Sequence, residues 1–157
     1  KGEFNLIFST GEAQFDTINN SVRLDEQYKK YVNVVPYIYD VAQIYTACDL
    51  MICRAGAITI SELQTMGIPS VLIPSPYVTA NHQEHNARSL ERDGGAVVIL
   101  ENELNADILF NRICDLIANK DLLRKMAADA TKNRITDSVE KIYALVEKLI
   151  TNTKKNH

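Results

Sequence analysis

Long hydrophobic runs are lacking from this chain of 157 residues. Its longest apolar stretches, such as Ala96–Leu100, fall far short of the roughly 20 residues a membrane-crossing helix needs. A charged-then-apolar leader is lacking as well, so nothing points to secretion, and Lys1-Gly2-Glu3 reads like the interior of a protein. Positive charge is not in excess: 17 Lys and Arg against 20 Asp and Glu leave a formal charge of −3 and an isoelectric point near 5.6. A nucleic-acid binder would carry a basic face, so no nucleic-acid partner is expected, and Lys154-Lys155 reads as a solvated pair. Cysteine is sparse. Cys48, Cys53 and Cys114 lack CxxC spacing and sit in largely apolar segments, which suits buried thiols in a reducing cytosol. No internal repeat or low-complexity linker interrupts the chain. A hydrophobic share of 46% with 24% charge is that of one globular domain, expected over residues 1–150, with a polar tail over 151–157.

What is present is a strict alternation. Asn5–Ser9 is a short apolar run stopped by Thr10-Gly11, and a polar helical stretch follows to about Lys30. Val32–Val35 is a second strand, closed by Pro36. Asp40 caps a helix through about Ala47 by its spacing to Gln43. Leu50–Cys53 is a third strand, followed by a helix from about Ile58 to Met66 that ends at Gly67, with Pro69 blocking continuation. Ser70–Ile73 is a fourth strand, terminated by Pro74-Ser75-Pro76. A helix from about Asn81 to Arg92 stops at Gly94-Gly95, and Ala96–Leu100 is a fifth strand. The remainder reads as helical, with Ile108, Ile113, Leu116 and Ile117 on one face and Val139, Ile142, Val146 and Leu149 on another. Continuous apolar strands alternating with helices predict an α/β fold, a parallel sheet with helices on both faces. Ligands of such sheets collect beyond the carboxyl ends of the strands, which singles out the residues after Ser9, Val35, Cys53, Ile73 and Leu100.

Three constellations fall at those ends. Cys53-Arg54-Ala55-Gly56-Ala57-Ile58-Thr59-Ile60-Ser61-Glu62 is a strand, a small-residue turn and a helix start. It has two readings. In one, Thr59 and Glu62 form a capping box and the small residues merely pack. In the other, the helix begins near Gly56 or Ala57, and the amides of Ala57, Ile58 and Thr59 face a ligand such as a pyrophosphate. Glu62 then stands in the second turn, where its carboxylate could accept both hydroxyls of a ribose. The second constellation is the Pro-Ser-Pro loop with Asn81-His82-Gln83-Glu84-His85-Asn86-Ala87. Gln83 both donates and accepts, which suits sugar hydroxyls. His82 and His85 lack a third ligand at metal spacing and read as surface or loop-packing residues, so no metal is expected. In the third, Tyr37-Ile38, either Tyr37 is ordinary core or the backbone at Ile38 reads the edge of a base.

Taken in order, these segments resemble the C-terminal domain of the MurG family of peptidoglycan N-acetylglucosamine transferases, glycosyltransferase family 28, of the GT-B fold. The pattern C-R-x-G-A-x-T-x-x-E is met from Cys53 to Glu62. The patterns G-x-P, P-x-P and H-Q-x-x-N-A are met at Gly67, Pro69, Pro74, Pro76, His82, Gln83, Asn86 and Ala87. Ser9-Thr10-Gly11 and Val35-Pro36-Tyr37-Ile38 also look like that family, and the likeness runs to about Leu149.

The resemblance implies a Rossmann-like domain without its first strand and glycine-rich loop, and an inverting transfer of N-acetylglucosamine from UDP-N-acetylglucosamine to lipid I, without metal or cofactor. It implies a substrate site of Tyr37, Ile38, Arg54, Gly56, Ala57, Ile58, Thr59, Glu62, Gln83 and Asn86. Within it the Ile38 backbone meets uracil, the amides of Ala57, Ile58 and Thr59 the diphosphate, Glu62 the ribose and Gln83 the sugar. The general base, lipid I and the membrane contact are assigned by resemblance to an N-terminal domain that this sequence does not contain. The expectation is therefore a donor-binding fragment, inactive alone, of an enzyme peripheral on the cytoplasmic face of the membrane. The likeness extends to the soluble donor subunit of a two-chain transferase acting on a dolichol-linked sugar, and to a non-catalytic nucleotide-sugar module on the same fold.

Overall fold

The structure, a computed structural model, describes residues 4–21 and 30–155. The opening Lys1-Gly2-Glu3, residues 22–29 of the first polar stretch and the last two residues lie outside that range. In chain order the elements are β1 (Leu6–Ser9), α1 (Glu12–Ser21), β2 (Val32–Val35), α2 (Val41–Ala47), β3 (Met51–Cys53), α3 (Ala57–Met66), β4 (Ser70–Leu72), a 3₁₀ turn (Thr79–Asn81), α4 (His82–Asp93), β5 (Ala96–Val98), α5 (Ala106–Ala118), α6 (Lys120–Ala130) and α7 (Ser138–Lys155). The segment read as a polar tail is helical through Lys155.

The chain gathers into two compact units, Lys1–Ala47 and Cys48–His157. Among the described residues all strand pairing is parallel. In the first unit β1 pairs with β2, Leu6 opposite Val32 and Ser9 opposite Val35. In the second, β4 lies between β3 and β5, with Met51 opposite Ser70 and Ser70 opposite Ala96. The expected parallel strands are thus observed, paired in two ladders of two and of three strands. Each by itself has the neighbour order found in a doubly wound sheet of order 3-2-1-4-5-6 read without its strand 1.

Local signals set the helix ends. Asp40 Oδ1 accepts from the Gln43 amide at 3.1 Å and starts α2. Gly67 ends α3 in the left-handed region, at φ 67°. Two helices are capped by asparagine: Asn105 Oδ1 accepts from Ile108 N, and Asn119 Oδ1 from Leu122 N. Asn119 also closes α5, so the helical remainder is broken there into α5 and α6.

The core is in the second unit. Ser70, Val71 and Leu72 of β4 are all fully buried. Successive strand residues point to opposite faces, so burial of both Val71 and Leu72 means that helices cover both sides of this strand. Val71 packs with Ile99, Leu116 of α5 and Met126 of α6, flanked by Leu50, Ile52, Val97, Leu104, Leu109 and Leu123. Leu63 of α3 and Ala87 and Leu90 of α4 are also fully buried, and α4 packs on β5 and α3. Of the expected faces, Leu116 is buried but Ile108 is 42% exposed. The apolar face of α7 is exposed from Val139 to Ile150.

Two buried polar groups bear on the stability of this unit. The Ser70 hydroxyl is buried and has no hydrogen-bond partner among the described residues. A buried, unmatched hydroxyl costs free energy, so Ser70→Ala should leave chemical-denaturation stability unchanged or raise it by up to about 1 kcal/mol. A loss larger than that would show that the hydroxyl is satisfied.

Asp129, 7% exposed, binds Lys125 through Oδ2 at 2.6 Å and Lys132 through Oδ1 at 2.8 Å. Its carboxylate lies against Gly94, where a Cβ would stand 2.5 Å from Oδ2. The hydrogen bond from Lys125, then that from Lys132, holds the Asp129 carboxyl below its ordinary 3.8. A folded-state value below the unfolded one stabilises the fold above the unfolded value, and that contribution is lost as pH falls through the folded value. Asp129→Asn should therefore flatten the decline of melting temperature below about pH 4, relative to wild type. Asp137, lowered by Lys141, titrates in the same window in both proteins and cancels in that comparison. Identical acid slopes would remove Asp129 from the account.

Candidate functional site

The turn from β3 into α3 is where the two readings of Cys53–Glu62 separate. Helix α3 begins at Ala57, with Gly56 as its extended N-cap at φ −62°, ψ 149° and no side-chain cap hydrogen bond. Its first backbone bond is Ile60 N to Gly56 O, at 2.9 Å. The amides of Ala57, Ile58 and Thr59 therefore precede the helical ladder, and Thr59 stands inside the helix rather than capping it. Glu62 falls in the second turn, half-buried. The capping-box reading is set aside by this geometry. What remains is an uncapped helix start at the carboxyl end of a parallel sheet, where amide donors and the helix dipole give positive potential.

Gly56 has a backbone that any residue can adopt. A Cβ built there meets only Thr59 Oγ1, at 3.8 Å, an ordinary contact. Nothing within the described residues requires glycine at this position. By contrast, Gly95 is required by the fold, since a Cβ there would lie 2.7 Å from Ala130 Cα.

The loop is held from two sides. Asn86 Nδ2 donates to Ala55 O at 3.2 Å, tying the loop to α4. Arg54 Nη1 donates to Ile73 O at 3.2 Å and pairs with Glu101 Oε2. On the next loop, Ser75 N, set between two prolines, donates to Gln83 Oε1 at 3.0 Å. With its carbonyl engaged, Gln83 has its Nε2 amide to offer a ligand. Ala80 and Asn81, on the approach to Gln83, are both left-handed at φ 52°; asparagine adopts that region readily, whereas for Ala80 it is costly. Asn81 Nδ2 donates to Glu84 at 2.6 Å, and His82 Nδ1 lies 2.7 Å from Thr79 O. Both contacts are local, so His82 packs its own loop, as the sequence reading expected.

Arg54, Gly56, Ala57, Ile58, Thr59, Glu62, Gln83 and Asn86 thus all lie in the second unit, on two loops and the two helices they feed, α3 and α4. Tyr37 and Ile38 belong to the first unit. Tyr37 is 56% exposed and meets Tyr39 edge-on at 5.1 Å and 67°, so it is not core. Glu101 joins this site through its pair with Arg54, a contact no sequence spacing signals. The available signal was its place just beyond the fifth strand.

Burial pushes the Cys53 thiol up to about 12 and raises Cys48 as well. Cys53 is therefore a protonated, inert thiol at neutral pH. All three cysteines are free and partly buried. Among the described residues no group of three His, Cys, Asp or Glu is placed to hold a metal ion, and no helix is long and apolar enough to cross a membrane.

Residues 1–142 match the model of the glycosyltransferase family 28 C-terminal domain. The chain is 74% identical over 150 residues to a UDP-N-acetylglucosamine–N-acetylmuramyl-(pentapeptide) pyrophosphoryl-undecaprenol N-acetylglucosamine transferase of Ruminiclostridium cellulolyticum, covering 96% of this chain and 41% of that protein. It is 50% identical to the protein of the same name from Acetivibrio thermocellus, over 95% of this chain and 40% of that one. The crystal structure of Acinetobacter baumannii MurG superposes with a TM-score of 0.82 at 28% identity, covering 92% of this chain and 41% of that one. The chain therefore spans about two fifths of the length of these relatives, and over that span it belongs to the glycosyltransferase family 28 C-terminal domain family.

Proposed function

We propose that this chain is the donor-binding part of an inverting glycosyltransferase that moves N-acetylglucosamine from UDP-N-acetylglucosamine to lipid I in peptidoglycan synthesis, at the cytoplasmic face of the membrane. The observation that carries the reading is the start of α3. Three amides with no side-chain cap among the described residues sit beside a glycine that the fold does not require, in a chain whose relatives are named as N-acetylglucosamine transferases. The diphosphate would lie on the amides of Ala57, Ile58 and Thr59, with the Arg54 guanidinium beside them. Glu62 would take the ribose, Gln83 Nε2 the sugar, and the Ile38 backbone the uracil. Asn86 would act through the loop it holds at Ala55.

In this arrangement the protein does one thing to the chemistry. It stabilises the negative charge that gathers on UDP as the glycosidic bond breaks, by dipoles already in place. The base that takes the proton of the acceptor, and the surface that holds lipid I, are proposed to belong to the N-terminal part of the relatives, outside the matched span.

Because backbone amides supply the positive potential, UDP should bind in the presence of a chelator as well as in magnesium, as read by calorimetry. Strict magnesium dependence would sink this account. Gly56→Ala separates fold from function. It should leave the melting temperature unchanged or slightly raised, by up to about 1 kcal/mol of stability, while weakening UDP binding by closing the approach to the amides. A variant that binds UDP like wild type would show that no ligand comes close to Gly56.

Glu62→Ala should weaken binding by about 2–4 kcal/mol, as expected for charge-assisted bonds lost from a ligand site. The variant should bind uridine and its 2′,3′-dideoxy analogue about equally. Continued strong discrimination between the two would take the ribose away from Glu62.

A further inference from the structure

We infer that Glu101 is a positioning residue of this site, holding the Arg54 guanidinium across the carboxyl ends of all three strands of the second unit and thereby presenting it to the donor diphosphate. The inference rests on the donor-binding reading above.

The strand ends are level. Ile73 N donates to Cys53 O at 2.9 Å, and Ile99 N donates to Leu72 O at 3.0 Å. Arg54 is the first residue after β3, Ile73 the first after β4, and Glu101 lies in the turn after β5. Arg54 Nη1 bonds both the Ile73 carbonyl and the Glu101 carboxylate, so one side chain spans three consecutive strand ends. The turn carrying Glu101 is itself fixed. Glu103 N donates to Leu100 O at 3.0 Å, Leu104 N to Glu101 O at 3.4 Å, and Leu104 packs against the core.

The Arg54 side chain is 53% exposed, and an exposed arginine samples many rotamers. A partner anchored to the core removes that freedom before the ligand arrives, and a guanidinium held through Nη1 can turn its Nε–Nη2 edge to an anion, the bidentate geometry that favours arginine for phosphate. Glu101 also acts in the opposite sense, since its negative charge repels the same anion. At a pair this exposed the pairwise Coulomb energy is small, so the positioning effect prevails.

The test is calorimetry of UDP and uridine with the purified protein, Glu101→Gln, Arg54→Ala and the double variant, with thermal denaturation of each. Glu101→Gln should weaken UDP about tenfold, a size typical of couplings within one network, and leave uridine, which has no phosphate, unchanged. Arg54→Ala should weaken UDP further, and the double variant should lose no more than Arg54→Ala alone. Unchanged or tighter UDP binding in Glu101→Gln, an equal loss for uridine, or additive losses in the double variant would overturn the role of Glu101 and leave the donor site standing. No binding of UDP by wild type would overturn the donor-binding reading itself, and this inference with it.

Discussion

Strand β4 fixes where everything else in the second unit can be. Both Val71 and Leu72 are fully buried, so β4 cannot slip by a residue without turning each into the other's surroundings. Its register on β3 and β5 then brings the carboxyl ends of the three strands level. The two loops that carry the candidate residues leave from those ends, one into α3 and one toward α4. Their placement is inherited from a buried, rigid element, and this lets short polar side chains such as Asn86 and Gln83 close the remaining gaps over about 3 Å.

The positive character of the site is correspondingly diffuse. The chain is acidic as a whole, and the one cation within the candidate set, Arg54, is paired with Glu101. In the proposed donor site an anion would meet the oriented amide dipoles of the α3 start together with the paired Arg54 guanidinium. Such dipoles need no reorganisation when charge shifts on the ligand, which suits a leaving group that becomes more negative as a bond breaks. A lysine would serve binding, but its flexible stem would have to be ordered at that moment.

Much of this was legible in the sequence, and for local reasons. The second strand is observed with the limits Val32–Val35 read from its apolar run, and Gly67 takes the left-handed cap that Gly followed by Pro signals. What was not legible is tertiary. The parallel strands covered by helices that the alternation predicts are observed, while which of them pair, β1 with β2 and β4 between β3 and β5, is not contained in any strand's own pattern. Asn119 closes one helix and caps the next, a break hidden by helical residues on both sides. Glu101 and Arg54 lie 47 positions apart, and no spacing rule relates them. The α7 periodicity was read correctly as amphipathic, yet periodicity says only that a face is apolar. In the structure Val139, Ile142 and Tyr143 are more than half exposed.

The most instructive ambiguity was Thr59-x-x-Glu62, because the same four residues satisfy two physical rules. As a capping box they would have used the first-turn amides internally. The structure resolves the choice by one backbone feature, an extended Gly56 from which the helix starts two residues before Thr59. That shift moves Glu62 from the position where it could fold back on the cap to one in the second turn, and it leaves the amides of the first turn without a side-chain cap. A helix end left so is less stable in isolation by the worth of a cap, roughly 1 kcal/mol. Here that cost is carried by the buried contacts of Ile60 and Leu63 one turn further on. Stability of the helix and availability of its first turn are thus assigned to different residues, and a ligand bound as proposed would use the amides without competing with the fold.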